Sequence, residues 1–291
     1  MNTLEALNTA SRRMHQPPLA KLMDPGAHKF MMRLASRLGG HGREYHTRLF
    51  FGDPMTVVLP EVISETLYTY GFFDETVTRL AIHAVKDGDT VLDVGAHFGY
   101  FSLLFSHLAG DRGHVVSFEP TPSTFRVLEK NTRTRDNITA LNLGVGDTDG
   151  ELEITDFGLR YAAWNTLSDE SRMPDVLTGQ MKGKVKVGMV RLDGLLAERN
   201  IHPDVIKIDA ENFELPVVRG LAETIAERRP KILMETGTDG SLEAARLLVS
   251  QGYDIYVLDA DGGLSRWEHN IELANQTYKD LLFATAQSIP G

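Results

Sequence analysis

The sequence predicts an α/β fold: a seven-stranded, mostly parallel, doubly wound sheet whose last strand is antiparallel, preceded by an N-terminal helical extension. Three observations predict it. From about residue 76, short apolar runs alternate with longer stretches of helical spacing, the pattern of a parallel sheet with crossover helices. The first run ends in a glycine turn that opens a helix, TVLDVGAHFGYFSLLF. The last run follows its predecessor through polar residues without a clear helix, which reads as a reversed strand beside a parallel sheet.

Taken in order, strands are expected at 90–94 (TVLDV), 114–119 (HVVSFE), 138–143 (ITALNL), 205–209 (VIKID), 231–235 (KILME), 254–258 (DIYVL) and 281–286 (LLFATA). Helices are expected between them at 98–109, 122–132, 214–227 and 241–250. Residues 149–193 interrupt this alternation. Asp149-Gly150 opens the alternating run ELEIT, and KVKVGMVRLD at 184–193 alternates too, which predicts extra strands or a hairpin. The polar excursion 156–183 between them has the length of a lid. The chain therefore divides into an extension or cap over 1–75 and a main domain over 76–291, with an insertion at about 149–193. In the extension, HKFMMRLASRL at 28–38 sets Phe30, Met31, Leu34 and Leu38 at helical spacing beside Lys29, Arg33 and Arg37. Such a helix either packs on the core with a solvated basic face or meets an acidic substrate, carrier protein or anionic membrane.

Bulk composition excludes several classes. With 291 residues, 42% hydrophobic and 24% charged, the chain can bury a full-sized core. It has no cysteine, which removes disulfides, thiolate metal sites and cysteine nucleophiles. The net charge of −10 argues against a nucleic-acid partner, whose phosphates need Lys and Arg. That charge is uneven: residues 1–48 carry eight Lys/Arg and three acids, +5, leaving −15 elsewhere. No apolar run reaches the roughly 18 residues of a transmembrane span. The start MNTLEALNTA lacks a signal peptide's basic and apolar regions, so a cytoplasmic location is expected.

The turn Asp93-Val94-Gly95-Ala96-His97-Phe98-Gly99 carries the functional argument. A dinucleotide site wants Gly-x-Gly-x-x-Gly, so that backbone amides approach a pyrophosphate. Here Asp93 takes the first glycine's place, followed by Gly95 and Gly99. A carboxylate repels a pyrophosphate but suits S-adenosylmethionine, whose methionine end carries an ammonium and a sulfonium. Glu119 ends the next strand, in VVSFEP, placed to accept both hydroxyls of a ribose. Pro120 after it stops the strand and leaves that carboxylate at the sheet edge.

VLDVGAHFGYFSL, SFEP, IKIDAENFELPVVRG and ILMET together resemble the FkbM family of S-adenosylmethionine-dependent O-methyltransferases. The resemblance covers roughly residues 70–260, including Asn142 to Asp147. It implies a class I, Rossmann-like methyltransferase sheet of strand order 3-2-1-4-5-7-6. The family usually reads I-K-I-D-V-E-G-x-E where this chain has Ala210 and Asn212, and usually has Asn where His97 stands. The implied cofactor contacts are Asp93, Gly95, Ala96, His97, Gly99, Glu119, Pro120, Asn142, Asp147 and Asp209. For Asp147 a plain turn role competes.

Side chains alternate along a strand, so Lys207 and Asp209 in VIKID point the same way, towards the ligand-binding edge. Asp209 is expected near the transferred methyl group, orienting or deprotonating the acceptor hydroxyl, with Lys207 tuning its charge. A structural ion pair is the alternative. Glu211 is a further candidate in the same turn, while Glu214 suits a helix start. His97 reads as a base, as a hydrogen bond to the methionine end, or as a packed cap. Glu235 with Asp209 would make a two-carboxylate Mg²⁺ site chelating a substrate diol. Tyr161, Trp164 and Asn165, in the polar excursion, either wall a substrate pocket or anchor the loop. The expected partner is a small molecule with a free hydroxyl, a natural product or sugar; a homo-oligomer stays open. The competing functions are a cofactor-binding protein without chemistry and an NAD-dependent oxidoreductase, the latter disfavoured by Asp93.

Overall fold

The computed structural model describes residues 2–16, 42–164, 183–210, 212–277, 280–286 and 288. The basic segment 28–38 and most of the polar excursion, 165–182, lie outside the described residues. The chain opens with helix Thr3–Met14, then a hairpin of β1 (Arg43–Arg48) and β2 (Pro54–Leu59), then helices Val62–Tyr70 and Glu75–Ala84. The last two of these helices have a local cause in their caps. The Glu61 carboxylate accepts the Ile63 and Ser64 N–H groups at 2.9 and 2.6 Å, capping the first, which stops at the left-handed Gly71. Asp74 caps the second by accepting from Val77 N–H at 3.1 Å.

The α/β unit follows, with β3 (Thr90–Val94), β4 (His114–Phe118), β5 (Ile138–Leu141), β6 (Gly144–Gly146), β7 (Gly150–Asp156), β8 (Gly183–Arg191) and β9 (Val205–Ile208). It closes with β10 (Lys231–Glu235), β11 (Asp254–Leu258), β12 (Leu264–Arg266) and β13 (Asp280–Ala284). The large sheet has the order β12-β11-β13-β10-β9-β3-β4-β5. Strands β5, β4, β3, β9 and β10 pair in parallel, and β13 runs antiparallel between β10 and β11. The expected count of seven strands is corrected to eight. Leu264–Arg266 adds an edge strand antiparallel to β11, and the connection read as bare loop also holds helix Ile271–Thr277. Three residues, LSR, offer no apolar run, so periodicity could not mark them. The runs ELEIT and KVKVGMVRLD pair in an antiparallel ladder from Gly150–Met189 to Asp156–Gly183, with β6 parallel to β8.

The two faces of the sheet carry separate cores, as strand alternation requires. Val91, Val115, Val205 and Leu233 pack on one face with Leu7, Val57, Leu67 and Leu104. Leu92, Val116, Ile206 and Ile232 pack on the other with Leu196, Val218 and Leu248. The N-terminal hairpin and helices thus complete the first core. Each fully buried leucine in it contributes about 2 kcal/mol. The Thr78 and Tyr100 hydroxyls, 2.9 Å apart, tie helix Glu75–Ala84 to helix Tyr100–Ala109. Among the described residues no helix is long and apolar enough to cross a membrane.

Candidate active site

A cavity of about 380 Å³ opens beyond the C-terminal ends of β3, β4, β9 and β10. The turn after β3 contributes Gly95 and His97, the end of β4 contributes Glu119, Pro120 and Thr121, and the β5–β6 link contributes Leu143 and Gly144. Asp209 and Ala210 after β9, Glu235 of β10 and Asp280 of β13 join them. The rest is mostly apolar: Val62, Ile63, Phe73 and Val77 from the N-terminal segment, with Asp74, Phe101, Ala162 and Ala163.

The turn is built by close approach. Gly95 has φ +76°, and a Cβ there would lie 1.8 Å from the Asp209 carbonyl oxygen. Only glycine lets the turn close against the end of β9. The Gly95 and Ala96 N–H groups both donate to the Phe118 carbonyl, at 3.0 and 2.9 Å, locking the turn to β4. His97 N–H and Thr121 N–H donate to the two carboxylate oxygens of Glu119, at 3.1 and 2.9 Å. Glu119 is 7% exposed, and burial pushes it up to about 7 despite those hydrogen bonds. Burial pushes the His97 imidazole down to about 3, so the ring is neutral at physiological pH. Its Nε2 is shielded from solvent without a hydrogen-bond partner among the described residues.

Asp93, expected as a cofactor contact, sits deeper than Gly95 and His97 of the same turn. It does not line the cavity but is 0% exposed beneath it. Its Oδ2 accepts from Ser102 Oγ at 2.6 Å, and the cation that it faces belongs to the protein: Lys207 Nζ lies 3.7 Å from Oδ1. Register is the reason, since Asp93 and Lys207 are partners across β3 and β9. Lys207, 4% exposed, reaches past Asp93 to donate to Asp209 Oδ2 at 3.1 Å. Its Nζ also lies 5.1 Å from the centre of the Phe101 ring. Burial works against the ammonium, but Asp209 and Asp93 outweigh it and hold Lys207 above its ordinary value. Asp209, with 39% of its side chain exposed, is the member of this group that reaches the cavity. Sequence alternation therefore pairs Lys207 and Asp209 as expected.

Other expected residues divide. Pro120 and Glu235 line the cavity, whereas Ala96 and Gly99 are buried in the turn, acting through the backbone. Asn142 and Asp147, also expected at the cofactor, are both exposed and do not line this cavity. The Asn142 amide instead donates to the Glu119 and Pro120 carbonyls at 2.8 and 2.9 Å, steadying the end of β4. Tyr161, in a 3₁₀ turn over Leu159–Trp164, faces the Arg160 guanidinium at 5.4 Å, while its neighbours Ala162 and Ala163 reach the cavity. Glu211, Asn165 and the Trp164 side chain lie outside the described residues. Glu214 folds back to accept from the Ala210 and Asn212 N–H groups at 3.3 and 3.1 Å. Asn212 sits at φ +72°, a left-handed position that suits asparagine or glycine.

The Mg²⁺ expectation gains no support. Among the described residues no three His, Cys, Asp or Glu side chains gather as a metal site, and an ammonium already occupies Asp209 Oδ2. Sequence reasoning missed Val62 to Val77 and Asp280. A cap reading could have found the helix between Glu61 and Gly71, and Asp280 stands opposite Glu235 in the β10–β13 register.

A family model described as the methyltransferase FkbM domain matches residues 93–261, more than half of the chain. Curated relatives include the hexuronic acid methyltransferase AglP of Haloferax volcanii, 23% identical over 154 residues, covering 52% of this chain and 58% of AglP. The 31-O-demethyl-FK506 methyltransferase FkbM of Streptomyces tacrolimicus is 28% identical over 221 residues, covering 66% of this chain and 82% of the relative. AMB antimetabolite synthetase AmbE of Pseudomonas aeruginosa is 27% identical, and the match spans only 11% of its length. Among solved structures, a methyltransferase FkbM from Methylobacillus flagellatus KT aligns with TM-score 0.43 and 16% identity, over 67% of this chain and 43% of that one. The chain belongs to the FkbM methyltransferase domain family.

Proposed function

We propose that the chain is an S-adenosylmethionine-dependent O-methyltransferase acting on a hydroxyl of a small molecule, a natural product or sugar. Glu119 is the observation that carries the cofactor reading. A buried carboxylate at the tip of β4, fixed by two backbone N–H groups and open to the cavity, suits the paired hydroxyls of a ribose. His97 lines the same cavity, and its Nε2, without a partner among the described residues, leaves a neutral hydrogen-bonding group for the same ligand. S-adenosylmethionine would supply a methyl group already activated for displacement.

The protein's task is then alignment of acceptor oxygen, methyl carbon and sulfur. Asp209 would receive the hydroxyl proton as the oxygen–carbon bond forms and the carbon–sulfur electron pair leaves with sulfur. Lys207 holds that carboxylate in place at 3.1 Å. Val62, Ile63, Phe73 and Val77 offer apolar surface to the acceptor's carbon skeleton. The name of the Streptomyces relative, an O-demethyl substrate, supports oxygen as the acceptor atom. In this reading residues 76–291 are the catalytic domain, about 149–193 its insertion, and 1–75 a cap. Isothermal titration tests the cofactor: S-adenosylhomocysteine should bind and NAD should not. Binding of NAD alone would overturn the reading.

A further inference from the structure

We propose that Asp93 is a positioning residue, which acts through Lys207 to set the direction and charge of Asp209 rather than holding the cofactor. This rests on Asp209 being the acceptor-facing group.

A polar row crosses three adjacent strands of an otherwise apolar sheet: Ser117 of β4, Asp93 of β3 and Lys207 of β9 are register partners. Ser117 Oγ donates to Ser102 Oγ at 2.8 Å, and Ser102 Oγ donates to Asp93 Oδ2 at 2.6 Å. Asp93 is thereby held from the helix side and from β4. Among the described residues its Oδ1 has no hydrogen-bond partner, and the nearest cation is Lys207 at 3.7 Å. The hydrogen bond of Lys207 goes to Asp209. One ammonium thus serves two carboxylates, one sealed under the sheet edge and one in the cavity.

A purely structural ion pair needs one anion. Burying a second one is expensive: burial pushes the Asp93 carboxyl above its ordinary value, while Lys207 and the Ser102 hydroxyl pull it back towards the ion. Its use follows from Coulomb's law: Asp93 draws part of the field of Lys207 away from Asp209, so the cavity carboxylate keeps affinity for a proton. Other charged groups sense the same set. Glu235 acts on Lys207 from β10, Glu214 faces Asp209, Glu119 senses Asp93, and neutral His97 faces both Asp209 and Lys207. Asp280 lines the same cavity. All remain in every variant below, so a difference between variants reports the Asp93–Lys207 pair.

The test is titration of the Asp209 carboxyl by ¹³C NMR in the full chain, assigned by its loss in Asp209→Asn. Asp93→Asn leaves Lys207 and Asp209 as a one-to-one pair, and the Asp209 midpoint should fall by about one pH unit. The double variant Asp93→Asn/Lys207→Met removes both buried charges, so it leaves neither ion uncompensated, and its midpoint should rise above the wild-type value. S-adenosylhomocysteine affinity of Asp93→Asn should stay within about threefold of wild type. An unmoved Asp209 midpoint in Asp93→Asn, or a tenfold loss of cofactor affinity, overturns the proposal. Failure of S-adenosylhomocysteine to bind the wild type would sink the function proposed above, while the midpoints still decide this network.

Discussion

Acidification should weaken S-adenosylhomocysteine binding through one residue, Glu119. Burial raises its carboxyl from 4.5 to about 7 in the free protein. A ribose donates two hydroxyls to it, which favours the ionised form, so binding must expel the proton wherever Glu119 still holds one. The apparent dissociation constant is then multiplied by one plus the ratio of protonated to ionised Glu119. Relative to pH 8, affinity falls roughly twofold at pH 7 and about tenfold at pH 6. Stability responds in the opposite sense. Between 4.5 and about 7 the folded state holds a proton that the unfolded chain has released. The stabilising term is therefore fully present below about 4.5 and is lost as pH rises through about 7, at most about 3 kcal/mol. Calorimetric titration at each pH, in two buffers of different ionisation enthalpy, reads the affinity and the released proton together. Glu119→Gln should bind more weakly and show no pH dependence. Wild-type affinity that stays level from pH 8 to pH 6 would refute the reasoning.

Three further outcomes are expected. Gly95→Ala forces a side chain to φ +76° and into the Asp209 carbonyl; urea unfolding should show a loss of about 3 kcal/mol, and wild-type stability would show that the turn tolerates a Cβ. Glu61 is 0% exposed and raised to about 7 by burial. Its stabilising term is lost as pH rises through about 7, so Glu61→Gln should remove about 1 kcal/mol of the stability decline between pH 6 and pH 8; an unchanged decline in urea melts would count against this. Asp209→Ala should lower turnover with labelled cofactor at least tenfold while titration shows affinity largely kept. Intact turnover would remove Asp209 from the chemistry.

The central strands were legible because β3, β4 and β9 are buried on both faces, which makes them read as apolar runs. The edge was not: Leu264–Arg266 is half-buried or exposed and carries no periodicity. In the site, Gly95, Glu119 and Asp209 could be placed because a turn, a strand end and strand alternation are local properties. The partner of Asp93 was not legible, because charge alone does not reveal which strand pairs beside it. The β3–β9 register brings Lys207 across from 114 residues later in the chain, and that cation answers the carboxylate before any ligand can. Val62 and Phe73 look like ordinary core residues in sequence. Only tertiary packing makes them a cavity wall.

That wall has a consequence for how such a chain can change. Val62 to Val77 and Asp280 flank the cavity, yet they lie outside the stretch 93–261 that the family shares. In the function proposed above, the acceptor would meet a wall built by segments that the family model does not cover. Retuning for a new scaffold would then fall to apolar side chains on two short helices and the link between them, with the glycine turn and its hydrogen-bonded carboxylate untouched.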